Sequence, residues 1–406
     1  MATDADIITG QVDLPRMRRQ RYSRLQAEMG RRDVPALLVF GSGAVQYAAG
    51  PSVISADSGR ASHLRTAALV LAGDDQPHLF TPYPEGAPPE LVPDHVHPPL
   101  YTESDQGVAD LADILSGLSP GGLDRLAVDD LSGPMYRLAP RVLEGTELVD
   151  ASRLLGPARL IKTSDELGCI RHAQRINEVA MHEVQAALVP GIRQTELTGM
   201  FLRRAFELGA TGNGIDPIWQ VMAPTRKGGP YTTHGDVAFP LITTDRVLAD
   251  GDVIWVDTGV HYHGYASDFG RTWIVGHEPR ATARQSDQYR RWRDVVTATL
   301  AEVRPGSTGS DLTAAARGVV GGQTPWLPHF YLIHGLGTES AEAPMIGTDM
   351  GPEHDAALVL QPGMVLVLEP VIWDDGYAGY RSEDIVAVTE DGWVGLSDYP
   401  YDPYDG

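Results

Sequence analysis

Five side chains able to ligate a metal stand at the ends of apolar runs in the C-terminal part of the chain. Val253-Ile254-Trp255-Val256 leads into Asp257-Thr258-Gly259, and after a glycine-bearing turn come Tyr265-Ala266-Ser267-Asp268. Phe330 to Ile333 leads into His334-Gly335-Leu336-Gly337, Met364 to Leu368 leads into Glu369-Pro370, and Glu383 stands just ahead of Asp384-Ile385-Val386. An ionised carboxylate at the end of a buried strand is costly unless paired. Two of them on adjacent hairpin strands repel unless a cation lies between them. Asp257, Asp268, His334, Glu369 and Glu383 therefore make an oxygen-rich set that suits two divalent ions sharing bridging carboxylates, with positions open for water. One acid at a strand end is ordinarily a solvated turn residue. Five such residues, each with apolar strand on one side and Gly or Pro on another, are harder to explain that way.

Composition narrows the chemistry. Cys169 is the single cysteine, which excludes an internal disulfide framework and any multi-thiolate metal site, so a metal must be held by His and carboxylates. The 32 Lys and Arg against 54 Asp and Glu give a formal charge of −22, which disfavours binding to a phosphate backbone; no nucleic-acid partner is expected. With 42% hydrophobic and 21% charged residues over 406 positions the chain reads as globular, with a prior of two domains. The opening Met1 to Asp6 lacks the basic-then-apolar pattern of a leader, and no apolar run approaches the ~20 residues of a membrane helix. The expectation is a soluble, cytoplasmic protein with no membrane partner.

The elements that must position these residues follow from periodicity. Residues 15–30 read as a helix whose Arg16, Arg18, Arg19, Arg21 and Arg24 form a solvated face, with Leu14, Met17, Tyr22 and Leu25 turned inward. Pro35 to Phe40 and Ala67 to Ala72 read as buried strands, and Leu79 to Leu91 as loop. Gly41-Ser42-Gly43 after the first strand is a partial dinucleotide-loop pattern that lacks its third glycine, so a plain strand-to-helix turn is favoured. Strand and helix signals alternate to about residue 150, giving an α/β domain. A boundary at Gly156-Pro157 divides the chain into domains 1–156 and 157–406. Beyond it, Thr163 or Ser164 with Asp165 and Glu166 caps a long helix carrying Ile170, Ala173, Ile176 and Ala180. Thr195 to Leu208 reads as a second helix, strands and hairpins begin at Val253, and further helices fall at 287–302 and 310–320.

As a set these residues resemble the pita-bread-fold family that includes aminopeptidase P, prolidase, methionine aminopeptidase and creatinase. The carriers run from Leu160-Ile161-Lys162 to Glu166, through Pro190-Gly191, Glu196-Leu197, Gly251-Asp252-Val253 and Asp257-Thr258-Gly259, to Gly264-Tyr265, Asp268 and Arg271-Thr272. His334 to Gly337, Glu369-Pro370, Gly379, Arg381, Glu383 and Asp384 complete them. The likeness spans essentially the whole chain. It implies a creatinase-like α/β N-terminal domain followed by an α+β pita-bread catalytic domain. It implies a dinuclear site in which Asp257 chelates one ion, Asp268 and Glu383 bridge, and His334 and Glu369 complete the other. A water or hydroxide shared by the ions would attack a polarised amide carbonyl, with Glu369 relaying the proton. Manganese is the family-style metal, with cobalt, zinc and iron open. A homodimer is implied as well.

Other residues are weighed against that frame. By resemblance His234 helps hold the substrate and stabilise the oxyanion. Where peptidases of the family have His-Glu-x-Pro after the metal histidine, this chain has Ala341-Glu342-Ala343-Pro344, which removes an imidazole partner for the scissile amide. His329 is a candidate substitute, and Tyr231, with Trp219, Arg226 and Lys227, a candidate substrate wall. His261 and His263 read as surface residues of the turn between the aspartate strands, and Arg381 as the residue orienting Glu383. The leading reading is a metal-dependent hydrolase of the Xaa-Pro peptidase type acting on a small peptide. The alternative is a C–N hydrolase or lyase acting on a small metabolite, which Ala341 favours. A binding module that kept the fold without catalysis is disfavoured, because all five ligand positions carry ligating side chains.

Overall fold

The computed structural model describes residues 12–52, 63–223 and 244–404. Its contacts divide into two compact units, Asp13–Arg159 and a second that joins Val12 to the chain from Leu160 onward. Gly156 and Pro157 lie inside the helix that closes the first unit rather than in a linker.

In the first unit, helix α1 (Leu14–Arg32) is capped by the Asp13 side chain, which accepts from Arg16 N. It is followed by β1 (Ala36–Val39), α2 (Ser42–Ala48), β2 (Ala67–Leu71), β3 (His78–Phe80), β4 (Val96–His97), α3 (Asp105–Leu118), β5 (Arg125–Val128), α4 (Gly133–Val142), β6 (Glu147–Asp150) and α5 (Ser152–Leu160). The strands form a mixed sheet in the order β4-β3-β2-β1-β5-β6, with β1 wholly buried as its unbroken apolar run requires. Two expectations fail here. Arg21 is not on a solvated face: it is buried, its guanidinium 5.5 Å from the Tyr47 ring. Leu79 and Phe80 belong to strand β3 rather than to loop. The turn at Gly41 carries no free phosphate cradle, since Asp129 already accepts from Phe40 N at 2.8 Å and Gly41 N at 2.9 Å.

The second unit opens with α6 (Ser164–Ala186), closed at its start by a reciprocal capping box between Thr163 and Glu166. Then come α7 (Gln194–Glu207), β7 (Gly212–Val221), β8 (Val253–Tyr262), β9 (Tyr265–Ala266), β10 (Phe269–Ile274), α8 (Ala283–Ala301), α9 (Gly309–Val319), β11 (Ile333–Gly335), β12 (Glu342–Ile346), α10 (Pro352–Ala357), β13 (Val365–Leu368), β14 (Val371–Trp373), β15 (Gly379–Arg381), β16 (Asp384–Val388) and β17 (Trp393–Gly395). One sheet runs β10-β8-β7 with β9 on β8, another runs β12-β11-β13-β16-β17, and β14 pairs with β15. Each large sheet has its own helical cover. Ile254, Val256 and Val260 of the first pack with Ile176, Ala180 and Phe201 of α6 and α7. Leu366, Leu368 and Val386 of the second pack with Trp292, Val296 and Leu312 of α8 and α9. The segment after β17 is built in: Tyr399 O accepts from Arg271, and Tyr401 and Tyr404 sit in the aromatic group around Tyr289.

Lys162, just ahead of α6, donates to Glu342 of β12 at 2.8 Å, and both side chains are almost wholly buried. Glu342 pairs in register with Gly335, beside His334. Removing one member strands a buried charge, so Lys162→Met is expected to destabilise the protein by about 3–5 kcal/mol in urea unfolding. The double variant Lys162→Met with Glu342→Leu should recover most of that loss.

Candidate metal centre

Three backbone hydrogen bonds gather the segments that carry the ligands. Ala266 N donates to Gly337 O at 2.8 Å, Glu369 N to Leu332 O at 3.1 Å, and Glu383 N to Gly270 O at 2.9 Å. Within the second sheet, Leu368 stands opposite Asp384 in an antiparallel pair, which sets Glu369 and Glu383 side by side just beyond the ladder. Within the first, Asp257 faces Gly270 across the β8–β10 pair. A Cβ at Gly270 would lie 2.5 Å from Cδ of Glu383, so only glycine leaves that carboxylate its place beside Asp257.

Oxygens of Asp257, Asp268 and Glu383 lie within 4.8 Å of one another. His334 Nε2 is 3.3 Å from Asp268 Oδ2 and 3.5 Å from Glu369 Oε1. The other ring nitrogen, Nδ1, stands 2.9 Å from Gly335 O; donating there leaves the Nε2 lone pair facing the carboxylates, the tautomer a metal ligand needs. Arg381 Nη2 bonds Glu369 Oε2 and lies 3.2 Å from Glu383 Oε1, so one guanidinium orients two carboxylates.

All four acids are buried, and the single guanidinium cannot balance them. Burial first, then repulsion from Glu383 and Asp268, holds the Asp257 carboxyl well above the usual carboxylate range. Burial and Glu383 do the same to Asp268. Glu369 is pushed up to about 8 by burial, although Arg381 and His334 draw it back. Asp257 Oδ1 and Glu383 Oε2 are buried without a hydrogen-bond partner among the described residues. Unpartnered carboxylate oxygens, mutual repulsion and a correctly oriented imidazole fit divalent cations, and the oxygen-rich set with one nitrogen suits metals of intermediate hardness.

The positioning residues the sequence did not disclose sit on α6. Asn177 Nδ2 donates to Thr258 O at 2.8 Å and Ser267 Oγ at 3.0 Å, and its Oδ1 accepts from Thr258 Oγ1 at 2.9 Å. Gln174 Oε1 accepts from Asp268 N at 3.2 Å, and Glu166 Oε1 accepts from Tyr265 OH at 2.8 Å. The available signal was polar residues at the buried positions of an otherwise apolar helix stripe. Tyr331 was also passed over. Its ring lies 4.8 Å from that of His334, and burial with the Glu369 and Asp268 charges raises its hydroxyl pKa, keeping it a protonated donor beside the site.

Several named candidates sit elsewhere. His329 is exposed at a left-handed backbone position, paired with Asp349 Oδ2 at 2.5 Å; it lines a cavity of about 590 Å³ with Arg317 and Thr348, which none of the five ligands lines. His261 belongs to strand β8 and only His263 to the turn. Trp219 is on β7 rather than in a loop, buried against the helices, with Nε1 donating to Thr198 Oγ1 at 2.8 Å. It therefore forms no substrate wall. Ala341 is exposed. His234, Tyr231, Arg226 and Lys227 lie outside the described residues. No described helix is long and apolar enough to cross a membrane.

Comparison with known proteins supplies the family and the fold. Residues 168–390 match metallopeptidase family M24, and residues 21–161 match the creatinase/prolidase N-terminal domain. Among curated proteins, the uncharacterized peptidase YqhT of Bacillus subtilis is 29% identical over 67% of this chain and 72% of its own. The probable dipeptidase PepE of Mycobacterium tuberculosis is 30% identical over 71% and 72%. A prolidase from Thermococcus sibiricus shares the fold at TM-score 0.75 and 22% identity, covering 97% of this chain and 99% of its own. The two-part architecture, creatinase-type N-terminal domain and pita-bread catalytic domain, is thus the one anticipated.

Without a cation, the folded protein retains protons on Asp257, Asp268 and Glu369 that the unfolded chain has already lost above the ordinary carboxylate range of about 4. The folded state then binds more protons, so its stability falls as pH rises from there to about 8, where Glu369 titrates. Urea midpoints in chelator should decline across that window, and saturating manganese should flatten the slope.

Proposed function

Given that the chain belongs to metallopeptidase family M24 and is a metallohydrolase, we propose that it cleaves small peptides at an Xaa-Pro bond, using two divalent ions held by Asp257, Asp268, His334, Glu369 and Glu383. Manganese is the proposed metal. The observation that carries this reading is the convergence of four buried acids and a correctly oriented imidazole from separate strands, with Asp257 Oδ1 and Glu383 Oε2 unpartnered. The printed names of its relatives, dipeptidase and prolidase, support the substrate class.

Bound ions supply activation of a water and polarisation of the scissile carbonyl. Glu369, with Oε2 fixed by Arg381, carries the proton from nucleophile to leaving nitrogen. Arg381 keeps Glu369 and Glu383 from rotating away. Tyr331, protonated and next to His334, offers a hydrogen-bond donor at the rim. His234 is assigned the oxyanion by resemblance.

A second reading, a C–N hydrolase or lyase on a small metabolite, is favoured by the exposed Ala341 where a peptidase imidazole is expected. Glu342 beside it is already committed to Lys162. A panel of Xaa-Pro dipeptides and tripeptides given to metal-loaded protein separates the two: cleavage is expected, and a metal-loaded sample that cleaves none moves the assignment to the metabolite. Asp268→Ala is expected to abolish turnover and metal retention together, measured by rate assay and elemental analysis. His261→Ala should leave both near the starting values, since His261 lies outside the ligand cluster.

A further inference from the structure

We propose that Gln220 is a specificity residue of the same site: its side-chain carboxamide pairs with an amide group of the substrate other than the one cleaved. The inference rests on the hydrolase reading above and adds a substrate feature to it.

Alternation along β7 decides which way Gln220 faces. Ile218 pairs with Asp257, Trp219 with Val256, Gln220 with Trp255 and Val221 with Ile254. Trp219 and Val221 pack with Ile254 and Val256 on the helix-covered side of the sheet. Ile218 and Met222 pack with Trp255, Leu327, Val371 and Phe330 on the other. Gln220, between Ile218 and Met222, belongs to this second face, and so does Asp257, directly across from Ile218. Diagonal neighbours on one face of an antiparallel pair are about 7–8 Å apart. The same face runs into the metal centre through Arg381, whose guanidinium lies 3.9 Å from the Trp255 ring and 5.2 Å from that of Phe330.

Gln220 is 4% exposed, and neither Oε1 nor Nε2 has a hydrogen-bond partner among the described residues. An amide buried among apolar side chains with both halves unsatisfied opposes folding, and a ligand that satisfies both removes the penalty. The chemistry of that ligand group follows from its surroundings. Ile218, Met222 and Trp255 beside it are apolar, and the nearby Arg381 is already bonded to Glu369 and Glu383, so a charged terminus brought there would lose its hydration without a counter-charge of its own. A neutral group with one donor and one acceptor complements a carboxamide, and an amide is that group. About 7 Å of extended peptide is about two residues. The amide met by Gln220 therefore lies on the acyl side of the scissile carbonyl, in an N-acylated or N-terminally extended substrate. The site favours tripeptides and acylated substrates over free dipeptides.

Two neutral probes test this on full-length, manganese-loaded protein. 4-Methylpentanohydroxamate has a metal-chelating head and an isobutyl chain; N-acetyl-leucine hydroxamate adds one amide. The wild type is expected to bind the amide probe about tenfold more tightly, the return for satisfying the buried carboxamide. Gln220→Met should reduce that preference to about twofold or less through loss of affinity for the amide probe alone, with metal content and binding of the simple probe held. Gln220→Leu serves as a second variant if the first does not fold. Equal binding of the two probes by wild type, or a preference that survives both substitutions, overturns the role of Gln220 and leaves the hydrolase reading standing. Failure of the loaded wild type to bind either probe overturns the metal site itself, and this inference with it.

Discussion

Crowding of four carboxylates in a water-poor place is the constraint around which the second unit is organised. Asp257, Asp268, Glu369 and Glu383 are buried together against one guanidinium, and burial with mutual repulsion favours the protonated form of Asp257, Asp268 and Glu369. Such a group persists only where the surrounding structure is rigid enough to stop it relaxing apart. Gly270, opposite Asp257, supplies the space for Glu383. Arg271 and Thr272, next along β10, lock that carboxylate's strand: Arg271 reaches Asp384 Oδ1 at 3.2 Å, and Thr272 Oγ1 donates to Arg381 O at 2.6 Å.

Polar groups on α6 serve the same end. A hydrophobic helix face would hold the sheet anywhere along its length, whereas Gln174 and Asn177 hold it in one register, because each amide meets specific groups around Asp257 and Asp268. The buried Lys162–Glu342 pair does for the histidine strand what these amides do for the aspartate hairpin. The chain past β17 joins in, since Tyr399 and Tyr401 close over the buried Arg271.

The separation between what could and could not be read from the chain is clear at particular residues. The five candidate ligands stand out because an acid or histidine ending an apolar run has no local explanation. Long helices stand out for their caps, as at Thr163. Strand β7 was missed because its first half, Gly212 to Pro217, is rich in turn residues and is held by pairing with β8 rather than by propensity. Without that strand in view Trp219 reads as a wall of the site, although the period of two turns it to the helices and turns Gln220 to the face that carries Asp257. Charge alone points Arg21 to the surface, though the helical spacing that buries Met17 and Leu25 also brings it in. His329 and His261 were weighed by type and nearness in sequence, which do not fix direction.

The sequence alone determined the two-part architecture, ruled out a multi-thiolate metal site and pointed to the candidate ligand types, because these depend on composition and on local runs of apolar and capping residues. Only the tertiary structure decided that strand ends as much as 126 residues apart, from Asp257 to Glu383, share one site. It also decided that Arg381 reaches two of the acids and that Gln220 is buried with no hydrogen-bond partner among the described residues. Those facts depend on the register between strands and on which face of each strand is covered, and long-range pairing sets both.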